Sequence, residues 1–435
     1  MHARPVNRLL CFAIGGAFAA TFCAGAEPQA KPPSIVVEVA AGKHTRFDAI
    51  VEFPIPESLR DATSFYLRQL DNDALVPVQR ITGKRPRLVW IARGEMSAGS
   101  TRRYEITAVD GKREEAVAAA SDSQVVVAHH RGRLTVRVGE KPVLAYHTAV
   151  AMPPKPIEAV YRRSGFVHPL FSPSGRVLTD DFPPDHAHQH GLFFAWVNTS
   201  FADHDVDFWN QLKGSGQVEH ATVEQITSGP VFGEFRVKLR HLDTTETDAP
   251  RPVLDETWTV RVYNIADPFV IDFESRQSSA GSEPLVINKY HYGGLALRGN
   301  RAWYDDQAKG LASAGPSNAF SDFLTSEGDG RAEGNHTRPR WVDLHGRVGE
   351  EMCGITVLGH PANFRFPQAV RLHPSKPYFC FSPMVDESFA IGRDKPYVSR
   401  YRLLTHDGDA KPDQLDRHWQ DYAEPLTALV VDNAP

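Results

Sequence analysis

The chain has 435 residues, with 48 Lys and Arg against 53 Asp and Glu, a formal net charge of −5 at pH 7 and 41% hydrophobic residues. That balance lacks the basic footprint of a nucleic-acid binder, so no nucleic-acid partner is expected. The length suits two domains, or one large β architecture carrying a smaller module.

At the N-terminus, Arg4 and Arg8 lead an apolar run over residues 9–22, and Ala24, Gly25 and Ala26 offer small side chains for cleavage. This order of charge, apolar core and small residues reads as a secretory signal over residues 1–26 and predicts a periplasmic or secreted protein. Phe22 is bulky where a lipoprotein signal needs a small residue before Cys23. No later apolar run approaches the roughly 20 residues of a bilayer-crossing helix, so no membrane-spanning segment is expected in the mature chain. Residues 27–33, rich in Pro and Ala, read as a flexible leader.

From residue 34 the text is a succession of short apolar or alternating runs, at 35–39, 49–53, 64–67, 87–91 and 104–109, separated by Gly, Pro, Asp and Asn. The spacing predicts an N-terminal β-domain over residues 34–120. The Ala-, Glu- and Ser-rich stretch 114–123 carries no strand pattern and is the expected boundary. A larger β-region, 124–435, follows, with strand-like runs at 125–127, 134–138, 232–239, 256–262, 269–274 and 285–297. Helical spacing is persuasive only over residues 413–422, where Leu415, Trp419 and Tyr422 recur on one face. The polar stretch 310–338 is long for a connection, which points to a functional or mobile loop. Of the four cysteines, Cys11 and Cys23 lie in the signal. Cys353 and Cys380 are read either as one disulfide or as two separate buried apolar side chains.

Titratable chemistry concentrates between Asp180 and Asp207, around the core sequence Asp180-Asp181-Phe182-Pro183-Pro184-Asp185-His186-Ala187-His188-Gln189-His190-Gly191. The paired prolines argue for an irregular loop. Alternate residues of an extended run share a face, so His186, His188 and His190 are expected to converge on one object. Those imidazoles could ligate a divalent metal, contact a polyhydroxylated ligand while carrying protons, or form a hydrogen-bonded polar loop; the residues leave these readings open. Asp207 and Trp209 pair a carboxylate with an aromatic platform of the kind sugar rings bind. His291 and Arg298 flank Gly293-Gly294, which reads either as a ligand cradle or as a bulge. A proline-bounded loop displays His360, Asn363 and Arg365. Asp181 and Glu256 are the candidate carboxylate partners, Glu256 on condition that it faces inward.

The set comprising residues 168–175, the histidine loop 178–191, Gly293 to Arg298 and His360 to Arg365 resembles the PmoA-like family of bacterial proteins, which carry the label methane oxygenase. The loop departs from that pattern at Gln189. The resemblance implies a large antiparallel β-sandwich similar to galactose-mutarotase-like and polysaccharide-lyase sandwiches, whose concave sheet holds carbohydrate. Together these readings lead to an all-β exported enzyme acting on a sugar or glycan fragment by His and carboxylate acid–base chemistry, whether hydrolysis, elimination or epimerisation. In that reading His186, His188 and His190 act with Asp181 or Glu256, while Asp207, Trp209, His291, Arg298, His360, Asn363 and Arg365 bind substrate. The rival expectations are a copper- or iron-dependent oxidoreductase, as the family label suggests, and a non-catalytic carbohydrate-binding protein.

Overall fold

The computed structural model describes residues 32–109, 124–246, 249–304 and 320–431. The predicted secretory signal and the boundary stretch 114–123 lie outside the described residues. The architecture is all-β and antiparallel, as expected.

Two eight-stranded antiparallel sheets pack face to face over the main core. The first runs, edge to edge, Val370–Leu372, Tyr378–Phe381, Gly294–Arg298, Leu192–Ala195, Val167–Leu170, Lys141–His147, Arg133–Val138 and Val125–His130. Its strands Leu192–Ala195 and Gly294–Arg298 are buried at every position, because both faces are covered. Continuous apolar sequence is what such strands need. The second sheet runs Gly216–Thr227, Phe232–Asp243, Arg251–Tyr263, Phe269–Ser279, Tyr397–Asp407, Glu351–Gly359, Trp341–Val348 and Ser321–Thr325. Here alternation is clear: Phe235, Val237 and Leu239 enter the core, while Arg236, Lys238 and Arg240 lie on the other face. The strand Ser321–Thr325 falls in the stretch expected to be a loop, and its pairing with Trp341–Val348 supplies the missing order.

The N-terminal module has a five-stranded and a three-stranded sheet that share one small core containing Val51, Leu67, Trp90 and Ile106. Its five-stranded sheet also takes in a strand from the far end of the chain. The last strand of the chain, Thr427–Val431, pairs with Ser34–Ala40, so both ends of the described chain meet in one sheet. The α-helix Pro412–Ala423 delivers that strand. Pro412 opens it, where a missing N–H costs nothing. A third apolar cluster joins its Leu415 to Trp341 and Leu404 of the second large sheet and to Val89 and Ile91 of the small module. Cys353 and Cys380 are both free and lie in different large sheets, which removes the disulfide reading.

Candidate active site at the end of the first large sheet

Strand register brings three connections together. Leu192 pairs with Leu297, and Arg298 pairs with Tyr378, so the loop 180–191, the end of Gly294–Arg298 and the turn before Tyr378 occupy one end of the sheet. Arg298 is wholly buried and reaches back beneath the loop. It donates to Gln189 Oε1 at 2.8 Å and to Asp185 Oδ1 at 3.0 Å. Lys376 Nζ stands 3.3 Å from Asp185 Oδ2, and Tyr304 donates to Asp185 Oδ1 at 3.3 Å. Both cationic groups lie over the Tyr304 ring, at 4.5 and 4.3 Å from its centroid.

Asp185 is therefore a buried carboxylate with two cations on it. Burial alone would push its carboxyl up, but the His186 hydrogen bond and the charges of Arg298, His186 and Lys376 outweigh that and hold it well below the usual range. His186 Nδ1 lies 2.9 Å from Asp185 Oδ2. An ionised carboxylate only accepts, so Nδ1 carries a proton in either state of the ring, and in the neutral ring Nε2 presents the lone pair. The imidazole is 28% exposed while its carboxylate is 1% exposed, so the pair is anchored inside and open outside.

His188 and His373 flank it, with ring centroids 5.7 and 5.6 Å from that of His186. Burial first, then the charge of His186, pushes His188 down to about 3. Burial, His186 and Arg371 push His373 down to about 4. Both rings are thus neutral at pH 7. From His373 a chain of ring contacts continues through Tyr378 at 6.1 Å, Trp209 at 5.9 Å and Tyr292 at 5.4 Å. Asn210 Nδ2 donates to Tyr292 Oη at 3.4 Å. Burial raises the Tyr292 phenol to about 12, keeping it an O–H donor.

The loop is not an extended run. His186 N–H donates to Pro183 O and Gln189 N–H to His186 O, two successive turns, which break the alternation that would put all three histidines on one face. His190 consequently turns inward and is fully buried. Its Nδ1 lies 2.7 Å from Asp181 Oδ1 and its Nε2 3.1 Å from Gln211 Oε1, so both ring nitrogens are used. His190 and Asp181 thus brace the loop from below, with the His190 ring buried and both of its nitrogens occupied. Nothing in the geometry supports a metal on His186, His188 and His190: among the described residues no group of three or more His, Cys, Asp or Glu is placed to hold a metal ion. Gly191 closes the loop at φ +47°, where a Cβ would run into the Val167 carbonyl.

The remaining predicted residues divide. Asp207 adjoins the cluster; its Oδ1 accepts from Trp209 N–H at 3.0 Å and Asn210 N–H at 2.8 Å, and Lys213 Nζ stands 2.8 Å from Oδ2. Trp209 is wholly buried against Phe193, Tyr292 and Tyr378, so it is packing and not an open sugar platform. His291 is exposed, its ring 4.8 Å from that of Tyr292. Gly294 is a packing device, since a Cβ there would sit 2.5 Å from Phe381 O.

His360, Asn363 and Arg365 do not join the cluster. The Asn363 amide exchanges hydrogen bonds of 2.7 Å with both Arg400 backbone groups. Arg365 donates to the Pro383 and Glu387 carbonyls, and His360 packs 5.0 Å from Tyr422. Glu256 does face inward but lies between the sheets. It accepts from His241, Trp258, Ser275 and Gln277 at 2.5 to 2.9 Å, which leaves a substrate no access to it. Sequence reasoning missed His373, Lys376, Tyr304 and Tyr292 as site residues. Only the cluster His373-Pro374-Ser375-Lys376, a polar turn between apolar strands, signals the first two.

A family model matches residues 133–420, well over half of the chain: "Family of unknown function (DUF6807)". The chain belongs to DUF6807. The PmoA-like resemblance is corrected by this match, and with it the methane-oxygenase chemistry. This DUF6807 protein matches no curated relative. Among solved structures it is similar to an alpha-mannosidase from Enterococcus faecalis V583, at 10% identity and TM-score 0.40 over 92% of this chain and 46% of that one. A protein in the glycosyl hydrolase family 38 from Enterococcus faecalis aligns at 12% identity and TM-score 0.41, over 92% of this chain and 48% of that one. A galactose mutarotase related enzyme from Lactobacillus acidophilus aligns at 10% identity and TM-score 0.29, over 65% of this chain and 97% of that one. The DUF6807 chain thus spans just under half the length of the two Enterococcus proteins, and likenesses this distant carry no functional argument.

Proposed function

We propose that the cluster around His186 is an acid–base site acting on a sugar or glycan fragment. The observation that carries this reading is the Asp185–His186 pair: a half-open imidazole whose proton is fixed on Nδ1 by a carboxylate that two buried cations keep ionised. Such a pair leaves a basic nitrogen in a defined orientation, the arrangement general-base catalysis needs. His186 Nε2 takes a proton from substrate, and Asp185 stabilises the imidazolium that results. Neutral His188 and His373 and the Tyr292 hydroxyl, all of which can hydrogen-bond, orient ligand hydroxyls. A mixture of donors and acceptors beside aromatic edges suits a polyhydroxylated ligand. The same reading takes residues 1–26 as a secretory signal, so the enzyme works in the periplasm or outside the cell. The N-terminal mass of the mature protein tests that placement.

Hydrolysis, elimination and epimerisation all need such a proton transfer, and product analysis separates them. Oligosaccharide and monosaccharide panels in D2O are to be screened for new reducing ends, unsaturated products and deuterium incorporation, with the wild type and with His186→Gln. Turnover in the wild type and its loss in His186→Gln supports the proposal. Absence of turnover together with undiminished ligand binding by His186→Gln overturns it. Binding without turnover that depends on His186 assigns the same site to a carbohydrate-binding protein.

A further inference from the structure

The outward face of the second large sheet carries two charged rows, set by strand register. One runs Glu234, Arg261, Asp272, Arg402, alternating in sign throughout. Arg261 contacts Glu234 and Arg402 contacts Asp272, each at 2.6 Å, so this row is internally matched. The neighbouring row runs Gln225, Arg236, Thr259, Glu274, Arg400. Arg400 takes Glu274 at 2.7 Å. Arg236 is left between two uncharged residues, half-buried and without a hydrogen-bond or ion-pair partner among the described residues.

A cleft of about 850 Å³ opens over this row. Its floor is the sheet. One wall is the tip of the hairpin joining Val78–Ile81 to Arg87–Met96, and His360 and Tyr422 also line it. The tip brings Lys84 and Arg85, both exposed and also without a partner among the described residues. Every carboxylate lining the cleft is already engaged: Glu52 with Arg87 and Arg261, Glu234 with Arg261, Asp272 with Arg402 and Glu274 with Arg400. The cleft therefore has surplus positive charge from the hairpin above and the sheet below. A half-buried guanidinium without a counter-ion is costly to hold, and an oxyanion returns that cost through paired N–H···O contacts.

We propose that this cleft is a binding site, separate from the histidine cluster, for a ligand bearing two or more oxyanion groups, with Arg236 holding one and Lys84 and Arg85 another. The assignment does not rest on the acid–base reading. Calorimetric titration of the full chain with trigalacturonate, tripolyphosphate and neutral maltotriose, at low and high salt, tests it. The expected result is binding of at least one anionic probe, weakened by salt and absent for maltotriose. Arg236→Gln should weaken it by about tenfold or more, Lys84→Gln with Arg85→Gln should weaken it further, and Arg236→Lys should restore part of it. His186→Gln should leave it unchanged. Binding of trigalacturonate alone identifies an acidic glycan as the ligand, and equal binding of tripolyphosphate extends the site to phosphate compounds. The proposal fails if neither anionic probe binds at millimolar concentration, if maltotriose binds equally well, or if a folded Arg236→Gln protein, checked by its melting curve, binds as the wild type does.

Discussion

Of the His–carboxylate pairs in this molecule, two of nearly equal length stand in opposite settings, His241–Glu256 at 2.8 Å between the sheets and His186–Asp185 at 2.9 Å at a sheet end. The first is wholly enclosed, 0% exposed on both sides, and its carboxylate accepts from three further side chains. The second is closed at the carboxylate and open at the imidazole. The chemistry of the pair is the same in both places; access to the distal ring nitrogen separates a structural brace from a candidate base.

The largest effect should come from breaking the enclosed pair. Glu256→Ala removes the acceptor that four buried donors share, and denaturant unfolding should register a loss of ~3–5 kcal/mol. A loss under ~1 kcal/mol would mean that the network is not holding the sheets together. At the open pair the signature inverts. His186→Gln should lower kcat on a substrate found by the screen by about 10²- to 10⁴-fold while its melting temperature stays within a degree or two of the wild type. A parallel collapse of stability would place His186 with His241 as a brace.

Arg298→Lys sharpens the contrast from beneath. The guanidinium bridges Gln189 and Asp185, and an ammonium cannot span both. Stability should fall by ~1–3 kcal/mol and kcat roughly tenfold, the two moving together because loop position and base orientation share one support.

Acid should act on the open end. His188, held near 3, and His373, held near 4, have folded values below the ordinary 6.5 because burial disfavours the charged form. Between pH 6.5 and about 4 the unfolded chain takes up protons that the folded chain refuses, so stability declines as pH falls through that window. Exchanging both rings for Asn should flatten the decline, read from urea midpoints at pH 7 and pH 5. The smallest effect belongs to Asn363→Ala, which removes two bonds to the Arg400 backbone. About 1–2 kcal/mol of stability should go, with turnover unchanged. A tenfold fall in turnover would bring that loop back to the site.

Much of the architecture was legible before any coordinate. The strand-like runs at 232–239 and 285–297 correspond to a strand with one solvent-facing side and, within the second run, to Gly294–Arg298, covered on both sides. The helix Pro412–Ala423 was readable from Leu415, Trp419 and Tyr422, which now pack in or against one apolar cluster. The site was legible only in part. His186, His188 and Arg298 do meet, yet His190, Asp181, Trp209 and Glu256 are used up in packing, and Asn363 and Arg365 serve a distant loop. Side-chain parity along 186–190 failed because hydrogen-bonded turns replaced the extended backbone on which parity depends. Family assignment failed for a different cause: a few short motifs suggested PmoA-like proteins, whereas the match across residues 133–420 is to DUF6807.

The class of the molecule is already written in its residues, because apolar periodicity and turn residues are local properties of the chain and an all-β layered fold follows from them. Tertiary structure alone decided which polar groups are available. Availability depends on partners far along the chain: Arg298 on Asp185, Lys376 on Asp185, Gln211 on His190, and the final strand on the first. A histidine beside an aspartate has the same letters whether its second nitrogen meets solvent or another side chain, and only the packing of the sheets distinguishes the two.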